Sequence, residues 1–137
     1  METTVRYLGG VKFETECRGH KVITDQPVDA KGEDAGMTPP ELLLSSLGTC
    51  AAFYAAYYLN YNKLSTEGLH VKVTANKLQG PPRVGDFEIL VEAPGVDVAH
   101  REALLKSVEK CLIHATLRGM PSIHTTVYTA ETTASVV

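Results

Sequence analysis

Apolar and polar residues alternate along two short runs near the amino terminus, Val5 to Leu8 and Val11 to Cys17, on either side of Gly9-Gly10. A glycine pair between two such runs predicts a β-hairpin. A third short strand is expected around Lys21 to Thr24, after Gly19. The alternation lapses from Asp25 to Met37, where Pro27, Gly32, Gly36 and four acidic residues leave no period, and the segment reads as a loop. A helical pattern follows. Thr38 can cap it, Pro39 suits its first position, and Glu41, three residues after the cap, completes a capping box. The helix is expected to run to about Tyr61, without a charge from Leu42 to Asn62. Ser45, Gly48, Thr49, Ala52, Ala55 and Ala56 form a stripe of small residues closed by Leu59, and Leu43, Leu47, Tyr54 and Tyr58 lie on a bulkier side. Glycine costs about 1 kcal/mol relative to alanine inside a helix, so Gly48 predicts close contact with a second helix.

Two further strands are expected, Leu69 to Leu78 and Asp86 to Ala93, joined by a long loop over Gln79 to Gly85. His70, Lys72 and Thr74 alternate with Val71, Val73 and Ala75, the signature of a sheet with one wet face. Asp97 can cap a second helix, in which Leu104, Leu105, Val108, Cys111, Leu112 and Ala115 recur at helical spacing and place Cys111 on the apolar face. Gly119 and Pro121 end it. Ile123 to Thr129 predicts a last strand, and Glu131 to Val137 a frayed tail.

Composition narrows the choices. A chain of 137 residues fits a single domain, 1–137, with a substantial core. The net charge of -3 provides no basic surface, which argues against nucleic acid as a partner. No basic segment followed by an apolar core opens the chain, so the cytoplasm is the expected location. The uncharged stretch approaches the roughly 20 residues that cross a bilayer. Ser45, Ser46, Thr49 and the tyrosines at 54, 57, 58 and 61 dilute it, and no cluster of Lys and Arg flanks it, so the expectation is a helix buried in protein, with no membrane partner.

The candidate chemistry lies in sulfur. Cys17, Cys50 and Cys111 are too few for a disulfide scaffold, and no CxxC pair begins a zinc site. Cys50 and Cys111 each fall in an apolar helical pattern, and two readings are open. Both can be small core hydrophobes, since free cysteine is among the most buried residue types. Alternatively, one is a peroxidatic thiolate and the other a resolving thiol, which requires the two helices to be neighbours. A peroxidatic cysteine must ionise, and an ordinary thiol with a pKa near 8.5 is mostly protonated at neutral pH. Cys50 lies too deep in its helix to feel the amino-terminal dipole, so a cation is expected from elsewhere. Arg18 is the first candidate, against a solvated turn residue; Arg118, in the last turn of its helix, is explained by the dipole. Glu41 could orient that arginine, against its role in the capping box. The five histidines show no ligand spacing, which leaves no metal site; His114, three residues past Cys111, could contact it or line a pocket. Cys17, at a strand end, reads as a spectator.

Thr38-Pro39-Pro40-Glu41-Leu42-Leu43-Leu44-Ser45-Ser46-Leu47-Gly48-Thr49-Cys50, followed by Cys111-Leu112-Ile113-His114-Ala115-Thr116-Leu117, resembles the OsmC/Ohr family of osmotically inducible and organic-hydroperoxide-resistance proteins, in an OsmC-like branch. The resemblance extends over essentially the whole chain. It implies an α+β fold with strongly curved antiparallel sheets around a long central helix and two subunits intertwined as a homodimer. It further implies a thiol-dependent peroxidase acting on organic hydroperoxides, an antioxidant of the oxidative stress response, with active sites at the dimer interface. By the same resemblance Cys50 is the peroxidatic cysteine, Cys111 the resolving one, and Arg18 and Glu41 their supporting residues, with the small stripe as subunit contact. An external dithiol, lipoyl-linked in family members, would reduce the pair, and no cofactor is implied. Two positions depart from the family pattern: Leu112 stands where proline commonly follows the second cysteine, and Pro40 stands where a catalytic glutamate precedes the first, with Glu41 one residue later. The alternative function is a dimer that keeps the fold and an apolar pocket for small molecules but is catalytically weak.

Overall fold

The structure, a computed structural model, describes residues 1–129 and 135–136. The first three strands, β1 (Thr4–Gly9), β2 (Lys12–Cys17) and β3 (His20–Thr24), form an antiparallel meander in the order β1-β2-β3. Its register sorts the side chains by chemistry. Val5 pairs with Thr15, Tyr7 with Phe13, and Thr15 with Val22, which puts the apolar groups on one face. On the other, Arg6 bonds Glu14 and Glu16 at 3.4 and 3.0 Å, and Lys21 bonds Glu14 at 3.1 Å. The apolar face is uncovered: Val5, Tyr7, Phe13 and Val22 are all exposed.

The loop after β3 is built on a buried carboxylate. Asp25, 1% exposed, accepts the backbone N–H groups of Gln26, Glu33 and Ala35 at 2.8, 3.0 and 3.1 Å. The Ala35 amide is the main influence, and with the other two it outweighs burial and holds the Asp25 carboxyl below the usual carboxylate range. The loop also closes on itself. A β-carbon on Gly32 would fall 1.7 Å from the Gln26 carbonyl oxygen, so no larger residue fits there. The Asp25 amide reaches the Met37 carbonyl at 3.3 Å, bringing the end of β3 beside the start of the long helix.

That helix, α1 (Pro39–Tyr61), starts as its sequence dictates: Thr38 Oγ1 accepts the Glu41 amide, and the Glu41 carboxylate accepts the Thr38 amide at 2.7 Å. A Thr38→Ala exchange is expected to lower unfolding free energy by about 1 kcal/mol, measurable in a urea titration. Strands β4 (His70–Leu78) and β5 (Arg83–Glu92) pair antiparallel and lay Val71, Ile89 and Val91 against Ala51 and Ala55 of α1 and Val108. Small residues on α1 do admit another backbone, but it is a strand. A β-carbon on Gly48 would lie 3.1 Å from Val73 Cγ2, so the neighbour of Gly48 is β4 of the same chain, where a second helix was expected. The fully buried side chains include Leu47, Leu59 and Cys111. The opposite side of α1 is aromatic and open, with Phe53, Tyr57 and Tyr61 exposed and the last two stacked. By length and composition α1 could cross a bilayer; here it packs on β4, β5 and the later helices.

Three expectations are corrected. The hairpin loop is shorter, because Leu78 pairs with Arg83 and a register irregularity between Thr74 and Asn76 absorbs the mismatch. The second helix is two: after a single 3₁₀ turn at Val98–His100, capped by Asp97, α2 (Arg101–Val108) ends and α3 (Leu112–Arg118) begins with Cys111 as its N-cap. The last strand contracts to β6 (Thr126–Val127), which pairs with β7 (Ser135–Val136) inside the expected tail. The other tail positions, 131–134 and 137, lie outside the described residues. The architecture is α+β, with antiparallel sheets and one long helix.

Candidate active site

The break between α2 and α3 brings Cys111 against Cys50. Backbone ψ at Cys111 is 123°, which turns the chain out of the helix, and its Sγ takes the capping role of a serine oxygen by accepting the His114 amide at 3.3 Å. Cys111 is 0% exposed and Cys50 half-buried on the middle of α1, and both are free thiols. The two thiols are near enough for each to shift the ionisation of the other.

The surroundings split the pair. Burial pushes the Cys50 thiol up, but hydrogen bonds from Cys111 and from the Ile113 and Leu112 amides outweigh it and leave Cys50 below the ordinary thiol value. Burial also pushes Cys111 up, and its bond to Cys50 pushes it further, against the amides of His114 and Ile113. The two shifts run in opposite directions, which makes Cys50 the readier of the two to ionise. Such a pair offers one sulfur that ionises more readily than an ordinary thiol and, beside it, a second that can resolve it as a disulfide.

Within one chain the expected cation does not stand beside Cys50. Arg18 is exposed in the β2–β3 turn with φ 52°, on the sheet whose apolar face is uncovered, and no guanidinium is among the groups that shift Cys50. Glu41 is engaged in the cap. The Thr38 amide first, and then the Thr38 hydroxyl at 2.9 Å, hold its carboxyl below the usual range. Arg118 lines a neighbouring cleft together with His114. Cys17 is exposed at the end of β2. The groups the sequence did not point to are the Leu112 and Ile113 amides, since a backbone N–H has no residue signature. The one available signal was Glu109-Lys110, two charged residues interrupting the apolar pattern just before Cys111. Among the described residues no cluster of His, Cys, Asp and Glu is arranged to hold a metal.

No curated protein matches the chain significantly. Solved structures do resemble it. An osmotic-stress-induced and detoxification response protein from Psychrobacter arcticus superposes with a TM-score of 0.73 at 21% identity, over 83% of this chain and 85% of that one. An OsmC-like protein from Mycoplasma pneumoniae gives 0.72 at 18% identity, over 86% of each chain. An organic hydroperoxide resistance protein OsmC from Legionella pneumophila gives 0.59 at 21% identity, over 87% and 90%. At these identities the likeness is one of fold. The family model described as OsmC-like protein matches residues 32–126, a span that begins in the Asp25 loop and holds α1 with Cys50, the β4–β5 sheet and the α2–α3 junction with Cys111. The chain belongs to the OsmC-like protein family.

Proposed function

We propose that this protein is a thiol-dependent peroxidase that reduces organic hydroperoxides to alcohols. The observation that carries the reading is the sulfur pair: Cys50, held below its ordinary pKa, beside Cys111, held above it and buried. The Cys50 thiolate attacks the terminal oxygen of ROOH, the O–O bond breaks, Cys50 becomes a sulfenic acid, and the released alkoxide takes a proton from water to give ROH. Cys111 then attacks the Cys50 sulfur, a disulfide forms, and water leaves. An external dithiol of the lipoyl-linked kind reduces the disulfide and is itself oxidised. Hydroperoxide resistance named for the Legionella relative supports the substrate class.

The working unit we propose is a cytoplasmic homodimer. Its support is the apolar face of the β1–β3 sheet and the Phe53-Tyr57-Tyr61 face of α1, both uncovered within one chain. Arg18 and Glu41 are proposed as supporting residues of the assembled site. A second reading, a catalytically weak dimer that binds a small molecule, is favoured by the engagement of Glu41 in the helix cap.

The test is stoichiometric. Reduced protein given an equimolar amount of cumene hydroperoxide should yield a Cys50–Cys111 disulfide in a peptide map, with Cys17 still open to alkylation. Cys111→Ser should stop at a Cys50 sulfenic acid that dimedone traps. If both thiols remain fully alkylatable after excess peroxide, the peroxidase reading is wrong and the binding dimer takes its place.

A further inference from the structure

A hydrogen bond fastens α2 to α1 at each of its ends. At the entry, Tyr58 Oη and His100 Nδ1 lie 2.8 Å apart, His100 being the last residue of the 3₁₀ turn before α2. At the exit, the Ser107 hydroxyl donates to the Tyr54 carbonyl at 3.0 Å, joining residues 53 positions apart in the chain. Ser107 is 8% exposed. Its hydroxyl is used differently from others in the helices. Those of Ser45, Thr49 and Thr116 bond the carbonyl four residues earlier in their own helix, the ordinary resort of a helical hydroxyl. That of Ser107 crosses to another element.

Where it crosses decides what it does. Tyr54 follows Cys50 by about one turn of α1, and Ser107 precedes Cys111 by four residues. From Ser107 the chain reaches Cys111 through two closed turns: the Lys110 amide bonds the Ser107 carbonyl at 3.1 Å, and the Cys111 amide bonds the Val108 carbonyl at 3.0 Å. Cys111 then caps α3, whose Leu112 and Ile113 amides act on Cys50. Apolar contact also holds α2 here, through Val108 against Ala51 and Ala55. Such contact has no preferred direction and lets a helix slide or roll, whereas a hydrogen bond sets both distance and direction. We propose that Ser107 is a positioning residue of the sulfur pair, its bond to the Tyr54 carbonyl fixing the end of α2 on α1 so that the α2–α3 junction meets Cys50. Ser107 acts through that junction and takes no part in making or breaking bonds at sulfur. Its role rests on the sulfur-pair reading above, but not on peroxide turnover.

Alkylation of the reduced full-length protein by iodoacetamide across a range of pH, followed on the Cys50 peptide by mass spectrometry, tests it in Ser107→Ala and Tyr58→Phe. Each variant removes one hydrogen bond between the same two elements, so a purely structural role lowers the urea midpoint in both and distinguishes neither at Cys50. Ser107→Ala should slow Cys50 alkylation at neutral pH at least about threefold and move its pH midpoint up toward that of a free thiol, because the protonated sulfur is the unreactive form. Tyr58→Phe, at the far end of α2, should leave the rate within about 1.5-fold and the midpoint in place. Should Ser107→Ala fail to fold by circular dichroism, amide exchange on the unaltered protein decides instead: the Leu112 and Ile113 amides should be as protected as that of Val108, and free exchange there overturns the proposal. An unchanged Cys50 curve in Ser107→Ala, or an equal displacement in Tyr58→Phe, overturns the proposal and leaves the sulfur-pair reading standing. A Cys50 that titrates like a free thiol in the unaltered protein overturns both.

Discussion

Cys50→Ser is expected to lower kcat/KM for cumene hydroperoxide by at least about a thousandfold, the scale of loss seen when a covalent nucleophile is removed. Serine matches cysteine closely in size, so packing between α1 and α3 should survive. What disappears is the ionised atom. The Cys111 thiol and the Ile113 and Leu112 amides lower the pKa of the Cys50 sulfur, and a hydroxyl in the same place stays protonated. Steady-state kinetics with an excess dithiol provides the measurement, with far-ultraviolet circular dichroism to show that the variant is folded. A folded variant retaining more than about a tenth of the original rate would remove Cys50 from the chemistry. The pH profile adds a separate check. The unaltered protein should lose peroxidase activity on acidification through a pKa below that of a free thiol, since the protonated sulfur is a poor nucleophile.

Leu59→Ala should cost about 3 kcal/mol of unfolding free energy, within the range for leucine truncations that leave a cavity. Leu59 is 0% exposed in the last turns of α1. The backbone there is pinned, because the Leu59 carbonyl accepts the Leu64 amide at 2.9 Å, so collapse into the void is restricted. Leu47 makes a poorer probe: it borders the open cleft, and truncation there enlarges an existing space. Domains are stable by about 5–15 kcal/mol, so the loss at Leu59 is a large share of the total. Urea unfolding should show a lower midpoint at unchanged slope. A loss under about 1 kcal/mol would mean that the end of α1 is not enclosed as described.

Much of this fold could be read from residue order, wherever a local signal was also the physical cause. Thr38 and Glu41 predicted the start of α1 because the capping hydrogen bonds lie within four consecutive residues. The alternation from His70 to Ala75 predicted β4 because the pleat alternates in the same way. The break at Cys111 escaped because Leu104, Val108, Cys111 and Ala115 keep helical spacing across it, and spacing does not register a turn made by one ψ angle. Gly48 announced a close neighbour without naming it: small residues admit a strand as readily as a helix. Within the site, the two cysteines were visible and their surroundings were not. A side-chain cation was the natural expectation for Cys50; within one chain the groups that lower its pKa are the Cys111 thiol and the Ile113 and Leu112 amides.

The ring of hydrogen bonds around Asp25 bears on how this chain can vary. Most surface connections accept insertions cheaply, because lengthening a flexible loop adds little closure entropy. This one is different, since its amides converge on a single carboxylate and the Gly32 position has no room for a side chain. It ties the end of β3 to the start of α1 through the Asp25 amide and the Met37 carbonyl. Added residues can be absorbed at the turn of Gly9 and Gly10, but inside this loop they would break the amides away from Asp25 and loosen that tie.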